Sequence, residues 1–177
     1  PLFIYTLIPV IKIFGLNAIS LRSISAVSTV AMVFVIYFLA QEIGNQKKNW
    51  PLVASLIFAT APWVFFNARL GYEVTLGYFL FYFGVLLLIK ESKNKKLSLF
   101  GLILLSLSTY TAHTERYLVP IFLFGYLLLK QKKYFKTKVR SKNLLLLFVC
   151  LLTQLPHFYL MTTPAFWVKN QSFGSSS

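Results

Sequence analysis

Cysteine and charge are both scarce in this chain. The single cysteine, Cys150, lies inside an apolar block, which excludes a disulfide framework or a cysteine-based metal site within one copy. It reads as a small apolar group on a helix. Charged residues make up 12% of the chain, against about 25% in soluble domains, so the polar surface that water demands is roughly halved. A Gly-rich phosphate cradle, HExxH and GxSxG are all missing, which leaves soluble nucleotide chemistry no home. The chain opens at Pro1 with no initiator methionine and no charged leader before its first apolar run. It is expected to be a piece of a longer protein.

Apolar side chains fill the space that charge leaves. They make up 57% of the 177 residues, with a mean hydropathy of +0.68. They come in long blocks rather than amphipathic stripes, which points to lipid as the solvent. The net charge of +14 raises nucleic acid as a partner, but the basic residues sit in short clusters between apolar blocks: Lys47 and Lys48; Lys90, Lys93, Lys95 and Lys96; and the run from Lys130 to Lys142. A nucleic-acid domain presents them on one folded face, so that partner is excluded.

The blocks predict an all-α, polytopic transmembrane helix bundle of about six spans, preceded by an interfacial or half-embedded helix from Pro1 to Gly15. The expected spans are Ser20 to Gln41, Pro51 to Phe66, Thr75 to Ile89, Leu97 to Thr111, Tyr117 to Leu129 and Asn143 to Met161. Trp50-Pro51 puts a proline at a first helical position; Pro62 is expected to kink or end its helix. One domain covers residues 1–161, and residues 162–177 form an outer-side tail, polar and expected to be truncated, with a sequon at Asn170-Gln171-Ser172.

The connections alternate in character. Gly44–Asn49, Lys90–Lys96 and Lys130–Lys142 are lysine-rich; Asn67–Glu73, Ala112–Arg116 and the tail are not. Lysine-bearing short loops stay in the cytosol, which puts the others outside. The outer side then collects Arg22, Arg69, Glu73, His113, Glu115 and Arg116. Arginine offers a planar fork suited to phosphate or carboxylate, whereas lysine is a point charge. The outer arginines therefore read as anion-binding groups. A carboxylate beside them is a candidate general base, a candidate holder of a divalent ion, or an arginine's counter-charge. Plainer readings exist for each. Arg69 and Glu73, one turn apart, make a simple helix pair; Glu115 pairs with a basic neighbour; Glu42 and Glu91 are solvated.

Four segments resemble the large membrane glycosyltransferases of the GT-C superfamily, which include protein O-mannosyltransferases and lipid A aminoarabinose transferases. Pro1-Leu2-Phe3-Ile4-Tyr5-Thr6-Leu7 with Ile13-Phe14-Gly15 resembles their "PPLYYxLLxxxxxxFG" stretch, and Ser20-Leu21-Arg22-Ser23-Ile24-Ser25-Ala26 their "xLRLPSAL" helix start. Ala61-Pro62-Trp63 through Ala68-Arg69 and Glu73 is similar to "SPxxxxxSRxxxxD". Tyr110-Thr111-Ala112-His113-Thr114-Glu115-Arg116 through Pro120 is similar to "YTYHxARxxxP".

The resemblance implies sugar transfer from a polyprenyl-phosphate donor to a lipid, glycan or protein acceptor at the outer membrane face. The family's catalytic base lies in a first outer loop upstream of the stretch at Pro1. No residue here matches it, and the piece alone is expected to be inactive. Arg69, His113 and Arg116 match positions near the donor phosphate, with Arg22 at the same end. Glu73 stands where the family places a second acidic residue, facing the phosphate or an associated divalent cation, the one cofactor the resemblance raises. Glu115 stands where the family usually has a small residue. A prokaryotic plasma membrane is the expected location, from the abundance of lysine, isoleucine and asparagine. A transporter or flippase fragment, with the arginines binding a substrate anion in transit, is the alternative, and a non-catalytic scaffold a third reading.

Overall fold

The computed structural model describes residues 2–44, 49–90, 95–111, 114–134 and 159. The chain divides into two units, Pro1–Phe124 and Gly125–Ser177. The described residues form helices without strands: α1 Leu2–Phe14, α2 Ala18–Ile43, α3 Trp50–Thr60, α4 Pro62–Leu70, α5 Glu73–Ile89, α6 Lys95–Thr109 and α7 Glu115–Tyr134. The expected span Asn143 to Met161, the division at residue 161 and the tail lie outside the described residues, Tyr159 apart.

Local chemistry sets the boundaries. α1 stops at Gly15, whose φ of 77° is left-handed and whose amide donates to the Ile11 carbonyl at 2.8 Å. Two residues later Asn17 caps α2, accepting the Ser20 amide at 2.8 Å on Oδ1. The Ser20 hydroxyl donates back to the Gly15 carbonyl at 2.6 Å, which closes the corner between α1 and α2.

The expected span Pro51 to Phe66 is two helices bent by 54°. Ala61, pushed to an extended conformation (φ −66°, ψ 127°) by the proline that follows, separates them. Pro62 has no amide for the preceding turn. The Ala61 amide therefore shifts to the Phe58 carbonyl at 3.3 Å, while the Thr60 hydroxyl donates to the carbonyls of Leu56 at 2.9 Å and Ile57 at 3.3 Å.

α5 is the central element, packed between α2 and α6. Small residues bring its neighbours close. A Cβ on Gly84 would stand 2.9 Å from the Gly101 carbonyl oxygen, and a Cβ on Gly101 the same distance from that of Gly84, so the backbones of α5 and α6 nearly touch. α2 and α5 run parallel. Their first turns meet where the Ser25 hydroxyl donates to the Tyr72 carbonyl at 3.1 Å. At their last turns Lys90 Nζ lies 3.5 Å from Glu42 Oε1 and 5.1 Å from the centre of the Phe38 ring. Glu42 is thus ion-paired rather than simply solvated.

Many large apolar side chains on α1 to α4 are exposed, among them Ile8, Val27, Phe34, Leu52, Ile57 and Phe65, a surface that suits hydrocarbon better than water. The six expected spans are not matched one for one. Among the described residues α2 alone is long and apolar enough to cross a bilayer by itself, and the bent pair α3–α4 makes a second if the two count as one span. α5 is apolar but has 17 residues, which at ~1.5 Å each leaves it short of a hydrocarbon core about 30 Å thick.

Candidate functional site

The site expected from the sequence lies at the end of the bundle where α2, α5 and α7 begin and α4 and α6 finish. Its hub is the turn between α4 and α5. Gly71 ends α4 in the left-handed region, with φ 72° and ψ 30°, which a side chain would strain. It also lies against α2: a Cβ there would be 3.4 Å from the Leu21 carbonyl oxygen and 3.5 Å from Arg22 Cγ. The carbonyl of Tyr72 then takes the hydroxyls of Ser25, at 3.1 Å, and of Thr75, at 2.9 Å. This fixes where α5 starts.

The turn brings three of the expected residues together. Arg22 belongs to the early part of α2, Arg69 to the last turn of α4, and Glu73 opens α5. Arg69 at a helix C-terminus and Glu73 at a helix N-terminus each complement the local backbone dipole. Because the chain reverses at Gly71, they stand on different helices. The helix pair one turn apart that their spacing allows therefore does not form. Both arginines are exposed, and Glu73 is half-buried.

Arg116 joins from the other side. It is half-buried on the first turn of α7, and its Nε donates to the carbonyl of Thr109, the last residue of α6, at 3.4 Å. The fifth expected residue, His113, lies outside the described residues. Among those described, no three His, Cys, Asp or Glu side chains come together, so they do not by themselves build a divalent-cation site around Glu73.

The residue the sequence misjudged is Glu115. It is the first residue of α7 and is 0% exposed, and neither carboxylate oxygen has a hydrogen-bond partner among the described residues. Among the described residues its expected pairing with a basic neighbour does not form: Arg116 reaches back to α6, while Glu115 points into α5. There it packs on Gly77, one turn beyond Glu73. A Cβ on Gly77 would lie 2.8 Å from Oε1 and 3.0 Å from Cδ of Glu115, so the missing side chain of α5 is the space the glutamate fills.

Glu115 precedes the apolar stretch that begins at Tyr117. Burial pushes its carboxyl up to about 7; its own backbone amide works the other way, and the negative charge of Glu73 adds to the rise. Close to neutral pH Glu115 therefore takes up a proton that an ordinary carboxylate would not. The phenol of Tyr78 on α5 also lies within electrostatic reach. The one signal in the sequence was Glu115 itself, a carboxylate directly before an apolar run.

A small cleft, with room for about one water (≈ 10 Å³), lies deeper between α2, α3, α4 and α5, lined by Thr29, Met32, Trp63, Asn67, Thr75 and Tyr78 among others. It is too small for a sugar.

Among known families, residues 1–160 match the model of one described as dolichyl-phosphate-mannose-protein mannosyltransferase. No curated protein and no solved structure matches the chain.

Proposed function

Because the chain belongs to the dolichyl-phosphate-mannose-protein mannosyltransferase family, a family of membrane glycosyltransferases, we propose that it is the part of such an enzyme that holds the donor's phosphate. The reaction moves a sugar from a polyprenyl-phosphate carrier to a lipid, glycan or protein acceptor at the outer face of a plasma membrane. The observation that carries this reading is the Gly71 turn. It gathers Arg22, Arg69 and Glu73 at the end of the helices opposite the Lys90–Glu42 pair.

The chemistry follows from the charges. As the glycosidic bond breaks, the carrier phosphate gains negative charge, and fixed cationic donors stabilise it more than they stabilise the intact donor. Arg22, Arg69 and Arg116 are those donors, with His113 beside them in sequence. The exposed apolar flanks of α1 to α4 suit the carrier's hydrocarbon tail, while the arginines stay in reach of outer water. In this reading the shorter apolar helices α1 and α5 to α7 complete a multi-pass bundle of about six spans, with the lysine-rich connections in the cytosol.

Release of polyprenyl phosphate from a polyprenyl-phosphate sugar by the full-length protein in lipid tests the reading. Release that depends on an added acceptor supports it. Movement of intact donor across the bilayer, with no release, sinks it in favour of transport.

A further inference from the structure

We propose that Glu115 is a positioning residue: seated on Gly77 of α5, it fixes the start of α7 so that Arg116 stands at the donor end. This rests on the transfer reading above, but the seating is a property of the fold and can be tested apart from it.

Two adjacent residues hold α7 to two different helices. Glu115 goes forward into α5 at Gly77, and Arg116 goes back to the Thr109 carbonyl of α6. Together they fix both the height and the rotation of the first turn of α7. The burial of Glu115 has no other visible reason. A carboxyl at 0% exposure without a hydrogen-bond partner is a costly occupant, and an aliphatic side chain would fill the same volume at less cost. Helix–helix packing alone does not call for it.

What a carboxyl adds is a polar head that becomes uncharged by taking a proton. Among the described residues the groups that face it are Glu73 and Tyr78, both on α5. With Glu115 neutral, the site adds no like charge to that of Glu73. With Glu115 ionised, two like charges stand one turn apart in a poorly hydrated site and push α7 away from α5. The shape of Glu115 and its neutral state together keep Arg116 in place.

The fit at Gly77 supplies the test of seating. Gly77→Ala in the full-length protein drives a methyl group into the Glu115 carboxyl and lowers the melting temperature. In a Glu115→Ala background the same methyl enters vacated space, and the loss shrinks or reverses. For positioning, Glu115→Ala is expected to lower sugar transfer about ten- to a hundredfold. Glu115→Gln, which keeps the length and is always neutral, is expected to restore most of it and to remove the decline in transfer expected of the wild type above neutral pH.

Each other outcome counts against the proposal. Additive melting shifts for Gly77→Ala and Glu115→Ala mean that Glu115 is not seated on Gly77. A non-additive pair with undiminished transfer by Glu115→Ala reduces the contact to packing and overturns the role. Transfer that fails in the wild type as well overturns the donor-binding reading, and the role of Glu115 with it, while a non-additive melting pair would still establish the seating.

Discussion

Gly71 lies on Arg22: a Cβ at the glycine would come 3.5 Å from the arginine's Cγ and 3.7 Å from its Cα. The turn that reverses the chain between α4 and α5 is therefore also the floor under one of the three arginines of the candidate site. Gly71→Ala must strain a left-handed residue, at about 1–2 kcal/mol, and press on Arg22. The expected result is a lower melting temperature of the purified protein together with weaker retention of polyprenyl phosphate. Loss of stability with unaltered retention would detach the turn from binding.

Arg116 carries the sharpest expectation for chemistry. Its guanidinium keeps other donors free of the Nε bond to Thr109. Arg116→Ala should depress sugar transfer about a hundredfold, as expected for loss of one donor to a developing anion, with membrane insertion unchanged. Unchanged transfer by the purified variant removes Arg116 from the site.

Acid should stabilise the fold through Glu115. Its pKa stands at about 7 in the folded protein, above the ordinary 4.5. Below that ordinary value both folded and unfolded chains hold the proton, and the advantage of the neutral buried carboxyl is complete. As pH rises towards 7 the unfolded chain loses its proton first, and stability falls by on the order of 3 kcal/mol before levelling off. Melting curves between pH 4 and pH 8 check this, and Glu115→Gln should flatten them across that interval. An identical slope in the glutamine variant would place the titrating group elsewhere.

The crossing of α5 and α6 should be less forgiving than the contact at Gly77. At Gly84 a Cβ would meet the Leu105 side chain at 2.8 Å and, at 2.9 Å, the Gly101 carbonyl oxygen, which belongs to backbone and cannot rotate aside. Gly84→Ala is expected to cost about 1–3 kcal/mol by overpacking, read as a drop in melting temperature. A neutral result would mean that α5 and α6 can part without penalty.

Sidedness is testable without any substrate. In a variant with Cys150 replaced by serine, single cysteines at Glu73 and Lys95 should react with membrane-impermeant reagent from opposite faces of the bilayer. Reaction of both from one face removes the shared outer pocket.

Local chemistry made much of this architecture legible. The end of α1 at Gly15 followed from a glycine after an apolar run, and the break at Pro62 from a missing amide. The segregation of lysines from arginines anticipated that Lys90 and Arg22 lie at opposite ends of parallel helices. The relation of Glu115 to Gly77 was not legible, because nothing local links a glycine inside one apolar run to a carboxylate 38 residues later. The pairing exists only once α5 and α7 are packed. Arg69 and Glu73 misled for a related reason: their spacing suits one helix, and only the left-handed turn at Gly71 shows that they stand on two. Among the described residues the count of six spans is matched only in part, because apolar composition says how a segment partitions, whereas crossing alone also needs length, and α5 is short.

The forked hydrogen bond from the Thr60 hydroxyl to the Leu56 and Ile57 carbonyls has a consequence for where the elbow at Pro62 can reside. A severed helical ladder ordinarily bares carbonyl oxygens that only solvent can satisfy, which would confine the break to a wet boundary. One threonine side chain covers the Ile57 oxygen that the displaced Ala61 amide gives up. The elbow then asks less of water than a bare break would, and a threonine-to-valine exchange there should draw the kink towards the headgroups.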